Sequence, residues 1–194
     1  MSFNELVIKT RSFRRFHEDH ALSLGTLERL VDTARLTASA SNRQPLRYVV
    51  CTDPAMNARI FPCLAWAGYL EDWDGPEEGE RPTGYIIVLG DTQHGNFRAC
   101  DLGIAVQTIL LQATEMGLGG CMIGSIQKDD LPGVIRVPEG FEILLVIALG
   151  KPKEKVVLEE LSQDGDIRYW RDDEGVQHVP KRPLASIVVG RHGS

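Results

Sequence analysis

The chain has 194 residues, 43% of them hydrophobic and 25% charged, which is ample to bury the core of one globular domain. A formal net charge of -6 and a pI near 5.4 argue against a dedicated nucleic-acid binder, which carries a broad basic face. The opening MSFNELVIKT holds Glu5 and no long apolar run, and Ile143 to Leu149 is too short for a bilayer, so a cytoplasmic protein without membrane contact is expected.

Basic charge is concentrated early, at Arg11, Arg14 and Arg15, with Ser12 among them. Guanidinium groups offer planar, paired donors and are weakly hydrated, which suits phosphate; the bland alternative is solvated surface charge. Leu24, Leu27, Leu30, Val31 and Ala34 then recur at helical spacing behind Ser23 as N-cap, predicting a first helix that ends near Thr37. Ser39, Asn42 and Gln44 follow, with hydroxyl and amide groups suited to an uncharged polar ring edge or a hydroxylated chain. Leu46 to Cys51 reads as a strand stopped by Asp53-Pro54, and a short helix is expected from Pro54 toward Trp66. The acidic, glycine- and proline-punctuated stretch from Glu71 to Thr83 reads as a loop that could serve as a lid.

Tyr85 to Leu89 is a compact apolar strand, and a long helix is expected from about Asn96 to Met116 with Gly117 as its C-cap. The middle of that helix is apolar on nearly every face, which predicts burial in a core or across a subunit interface. Gly119-Gly120 leads into a short strand, Cys121 to Ile123, after which Gly124-Ser125 offers bare backbone amides to a flat ligand. Leu131 to Val137 is a short helix or turn, and Phe141 to Leu149 is the strongest strand. Beyond residue 150 the chain is charged and weakly periodic. It reads as an extended arm with one short helix near Leu158, of the kind that lies on a partner subunit. Lys181-Arg182 in this arm returns positive charge that could complete a phosphate cage with Arg11 and Arg14.

Four cysteines include no Cys-x-x-Cys pair and have apolar neighbours, so buried free thiols are expected. Five scattered histidines in polar surroundings predict surface positions and no metal site. The segment Gly117-Leu118-Gly119-Gly120 follows a helix and precedes a strand, the reverse of a dinucleotide fingerprint.

Taken in order, these segments resemble the nitroreductase family of flavin mononucleotide (FMN) enzymes over about Lys9 to Leu184. The resemblance is carried by Arg11-Ser12-Phe13-Arg14-Arg15-Phe16, Ser41-Asn42-Arg43-Gln44-Pro45 and Asp101-Leu102-Gly103-Ile104-Ala105. Gly117 to Gly124, Gly150-Lys151-Pro152 and Val179-Pro180-Lys181-Arg182 complete it. It departs from the family pattern at Thr10, where an arginine is common, and at Ala38, where a proline is common. The resemblance implies an α+β sandwich, with a central, mostly antiparallel sheet flanked by helices. It also implies an extended C-terminal arm (about 151–194 of a single domain spanning 1–194) and an intertwined homodimer.

It implies that Arg11, Ser12 and Arg14 hold the FMN phosphate and ribityl, helped by Lys181 and Arg182, and that Ser39, Asn42 and Gln44 reach the partner's flavin. Ile123, Gly124 and Ser125 would lie along the ring near N5. Hydride from NADH or NADPH would pass through N5 to an electron-poor acceptor such as a nitroaromatic or quinone. No catalytic side chain is implied, because Gly124 stands where some relatives carry an acid. Trp66, Tyr69 and Trp73 would either roof this pocket or pack the loop onto the core. Competing readings are other flavin chemistry on the same fold (dehydrogenation, dehalogenation, flavin breakdown) and flavin binding without catalysis.

Overall fold

The computed structural model describes residues 1–93, 98–127, 129–162 and 165–193. Packing divides it into two compact units, Met1–Trp66 with Asp74–Lys153, and Ala67–Trp73 with Glu154–Ser194.

The first unit opens on a helix that the periodicity of the opening ten residues does not suggest, α1 (Phe3–Lys9). Its start is written in a capping box. The Glu5 amide donates to Ser2 Oγ at 3.2 Å, and the Ser2 amide donates to Glu5 Oε2 at 2.7 Å. None of its residues is buried. After β1 (Phe16–His17) comes α2 (Leu24–Ala34), capped by Ser23 as expected, with Leu27, Leu30 and Ala34 turned inward and Leu24 left exposed. β2 (Leu46–Cys51) and α3 (Pro54–Ile60) follow, α3 being capped by Asp53 with Pro54 in its first turn.

The sheet is built around β3 (Gly84–Asp91), a near-continuous apolar run buried on both faces. β2 pairs with one edge of β3 and β5 (Phe141–Pro152) with the other, both antiparallel. The far edge of β5 is shared by β4 (Gly119–Ile123) and β1, also antiparallel. Ile86 and Val88 of β3 and Ile147 and Leu149 of β5 pack against Leu27 and Leu30 of α2. The long helix α4 (Arg98–Glu115) joins this core through Ala105, Val106, Ile109, Leu110 and Ala113. Each of these large side chains contributes about 1.5–3 kcal/mol when removed from water.

Asn96 lies outside the described residues, but the other end of α4 is where it was expected. Gly117 has φ +72°, its amide donates to Thr114 O at 3.0 Å, and the Leu118 amide donates to Ala113 O at 2.8 Å. This closes the helix with a left-handed residue that carries no Cβ penalty. Within this chain α4 is not buried all round: Gly103, Ile104 and Gln107 form an exposed stripe, which leaves the subunit-interface alternative for that face. Its apolar Ile104 is available to a partner, not to this chain's own core. α5 (Leu131–Val134) is one turn.

The stretch before β3 is tied down rather than loose. Glu80 receives both Arg15 Nε and, at 2.7 Å, Arg15 Nη2, and Lys153 Nζ lies at 3.0 Å. Glu18 Oε2 accepts the amides of Gly79 and Arg81. Two cationic side chains, Arg15 and Lys153, hold the Glu80 carboxyl down to about 2, the hydrogen bond from Arg15 contributing most. A carboxyl depressed in the fold stabilises it above the unfolded value and loses that contribution as pH falls through the folded one. Glu80→Gln should therefore lower the urea-derived stability near neutral pH by about 2 kcal/mol. The gap from wild type should close between pH 4.5 and 2. A pH-independent gap would place the effect in packing instead of charge.

The second unit contains the expected arm, and one of its elements differs from expectation. β6 (Val156–Glu160) is a strand where a helix was expected near Leu158. It pairs in parallel with β8 (Gln177–Lys181), which also pairs with β7 (Trp170–Arg171). The apolar run Val156-Val157-Leu158 is only three residues long and is followed by Glu159-Glu160, too short a strand signal to outweigh helix-forming Glu and Leu. A last turn, α6 (Leu184–Ile187), follows. No helix among the described residues is long and apolar enough to cross a membrane.

Candidate functional site

Residues 11–14 leave the end of α1 and run beside β4. Ser12 bridges Gly120 in parallel, and the Phe13 amide donates to Gly120 O at 3.0 Å. The contact is close because β4 begins with two glycines: a Cβ on Gly119 would stand 2.5 Å from the Phe13 ring. Arg11 Nη2 donates to Val7 O at 2.7 Å, at the negative end of α1. Arg11 Nε is buried with no hydrogen-bond partner, and burial lowers the guanidinium's pKa. Arg14 is buried, with Nη1 3.4 Å from Ser12 O. Arg15, the third member of the cluster, is committed to Glu80. The early arginines therefore divide into a structural one and two that flank Ser12.

The other end of β4 is open. Ile123 is buried, Gly124 and Ser125 are exposed, and a Cβ on Gly124 would meet nothing within 4 Å. Ser125 O accepts the Ala65 amide at 2.9 Å, which fixes the strand exit. From Gly120 to Gly124 an extended strand advances about 13 Å. One strand thus carries cationic donors at its start and bare backbone amides at its end.

Ser39, Asn42 and Gln44 are brought together on the loop after α2, and their side chains are largely engaged with one another. Ser39 Oγ donates to Asp101 Oδ2 at 2.6 Å and accepts the Gln44 amide at 2.9 Å. Gln44 Nε2 donates to Asn42 O and Oδ1 at 3.3 and 3.2 Å. Ser41, Asn42 and Gln44 all have φ near +50°, a left-handed backbone that costs about 1 kcal/mol or more for residues with a Cβ. Sequence reasoning used Asp101 only as the opening of a family segment and gave it no place in the site. Its signal is an acid in the first turn of an otherwise apolar helix.

Lys181 and Arg182 belong to the second unit. Lys181 ends β8 and its carbonyl accepts the Leu161 amide at 2.9 Å; Arg182 borders a cavity of about 340 Å³ with Leu161, Ser162 and Ser186. Tyr69 stacks on Tyr169 with ring centroids 4.9 Å apart, and the Arg171 guanidinium sits 4.6 Å over Trp73. Trp66, in the first unit, is buried against Phe61 and Gly75, so packing accounts for it.

Two minor expectations need correction. Cys51, Cys63 and Cys121 are buried free thiols, but Cys100 is exposed. His178 is not a solvated surface residue: its ring stacks on Trp170 at 3.8 Å, with Glu159 and Asp172 on its two nitrogens at 2.7 and 3.0 Å. The carboxylates raise its pKa. His94 lies outside the described residues. No cluster of metal-ligating side chains occurs among the described residues.

Residues 7–151 match the profile of the nitroreductase family. A protein of Archaeoglobus fulgidus, provisionally named NADH dehydrogenase/NAD(P)H nitroreductase, is 24% identical over 77% of this chain and 85% of its own length. An FMN reductase (NADPH) of Bacillus subtilis is 24% identical over 76% of this chain and 65% of its own. The solved structure of an FMN-dependent nitroreductase from Clostridium difficile shares the fold, with a TM-score of 0.64 and 21% identity over 77% of this chain and 87% of that one.

Proposed function

The chain belongs to the nitroreductase family, and on that premise we propose that it is an FMN-dependent oxidoreductase. It would take hydride from NADH or NADPH and deliver it to an electron-poor acceptor such as a nitroaromatic or quinone. The names of the relatives support the cofactor and the donor. The observation that carries the reading onto this chain's own residues is Arg11: a buried guanidinium nitrogen with no hydrogen-bond partner among the described residues, beside the start of β4, whose other end is open. A partly buried cation with no ion pair among the described residues fits a phosphate dianion.

Bound FMN supplies a ring that accepts and returns hydride at N5. The chain's part is to hold and orient. Arg11, Ser12 and Arg14 would bind the phosphate. Asn42 and Gln44 would offer amides to the ring edge of the partner's flavin, with Ser39 on the same loop. The backbone from Ile123 to Ser125 would hold the ring, and the absence of a side chain at Gly124 would leave room for a flat donor or acceptor. No side chain here moves a proton. The exposed apolar residues Phe3 and Ile8 of α1 and Ile104 of α4 support a homodimer in which the arm of one copy lies on the other.

Purified protein is expected to be yellow and to release FMN on denaturation. Its colour should bleach with NADH or NADPH in the absence of oxygen and return on addition of a nitroaromatic. Colourless protein that takes up no FMN on reconstitution would end the proposal. Product formed only with oxygen, or flavin that no NAD(P)H reduces, would move it to other flavin chemistry or to binding alone.

A further inference from the structure

The loop from Ser39 to Gln44 holds three residues in a left-handed conformation that the chain does not favour. Something must hold them there. Asp101, in the first turn of α4, is 5% exposed and forms no ion pair among the described residues. Its two oxygens divide the work: Oδ2 accepts the Ser39 hydroxyl at 2.6 Å, and Oδ1 accepts the Ala40 amide at 3.0 Å. Having given its only proton to Asp101, the Ser39 oxygen turns a lone pair to the Gln44 amide at 2.9 Å. Gln44 in turn donates to Asn42.

We infer that Asp101 is the positioning residue of this loop, a buried carboxylate that fixes both ends of the Ser39–Gln44 segment and so aims Asn42 and Gln44. The inference rests on the proposal that this loop faces FMN. A carboxylate is needed because both oxygens must accept. Asparagine, nearly the same size, has one acceptor oxygen and would turn an NH₂ toward either a hydroxyl proton or an amide N–H. A cavity of about 260 Å³, bordered by Val31, Ala34, Ser39, Gln44, Tyr48 and Asp101, gives the released loop room to relax.

The test uses the full chain with Asp101→Asn, Ser39→Ala and the double variant, each read two ways. In the FMN-free protein, trypsin cleavage after the exposed Arg43, mapped by mass spectrometry, should quicken about ten-fold in either single variant. In reconstituted protein, the FMN dissociation constant should rise about 10- to 100-fold and the visible spectrum of the bound flavin should shift. The double variant should be no worse than the poorer single one, because both changes cut one relay. Should Asp101→Asn fold poorly, Ser39→Ala carries the same readouts. Unchanged cleavage at Arg43 in both single variants overturns the inference, as do wild-type affinity and spectrum in both. If wild-type protein takes up no FMN while Asp101→Asn still quickens cleavage at Arg43, the proposed function fails and the positioning role stands.

Discussion

Arg11→Ala should raise the FMN dissociation constant about 10- to 100-fold while leaving the urea midpoint of the flavin-free protein nearly unchanged. The size follows from what the side chain has and lacks. Arg11 gives one donor to the last turn of α1, a bond worth a few tenths of a kcal/mol to about 1. Its Nε is buried and unmatched, so in the flavin-free fold this nitrogen carries a desolvation cost with no return. A phosphate oxygen there would offset that cost and add charge-assisted bonds. Affinity of wild-type protein should fall with added salt, and the slope should be shallower in Arg11→Ala. Arg15→Ala is the contrasting variant. It strips Glu80 of its main partner, so it should lower stability while folded protein keeps its flavin affinity. FMN affinity and salt slope that do not differ between wild type and Arg11→Ala would return the cluster to solvated surface charge.

Gly120→Ala should destabilise the fold by about 3 kcal/mol or more, against less than about 0.5 for Gly124→Ala. On Gly120 a Cβ would stand 2.6 Å from Ala148 O, 2.8 Å from Leu149 Cδ2 and 2.9 Å from Leu110 Cδ2. The first of these is backbone of the paired strand, which cannot withdraw without opening the β4–β5 ladder. Displacing β4 also displaces the segment bonded to Gly120 O, and with it Arg11 and Arg14. On Gly124 the added methyl meets no protein atom within 4 Å. There the expected loss is of turnover, because the methyl would enter the space left for the donor or acceptor. Thermal melts of the flavin-free variants, paired with NAD(P)H turnover assays of the reconstituted ones, separate the two effects. Equal melting temperatures for both variants would contradict the packing argument.

Much of the central sheet was legible in the sequence because its strands are short apolar runs closed by turn residues, as in Tyr85 to Leu89 before Gly90-Asp91. The end of α4 was legible too, since a left-handed terminus selects glycine at position 117. α1 was missed although Ser2 and Glu5 spell a capping box, because its apolar residues face no core and show no inward stripe. The arm's strands were missed because their pairing is settled by contacts with segments up to about twenty residues away, not by local pattern. In the candidate site, local segments were legible and their commitments were not. That Arg15 is tied to Glu80, 65 positions on, and Ser39 to Asp101, 62 positions on, follows only once the chain is folded.

The helix that delivers Arg11 to its place is seven residues long and buries none of them. Helices of that length are marginal in water even with good caps, so in an isolated chain α1 spends part of its time frayed. A second copy covering Phe3 and Ile8 would hold it wound. Flavin occupancy would then be a matter of mass action between protein chains as well as between protein and flavin: on dilution, the cofactor would leave as the helix ends lose their cover.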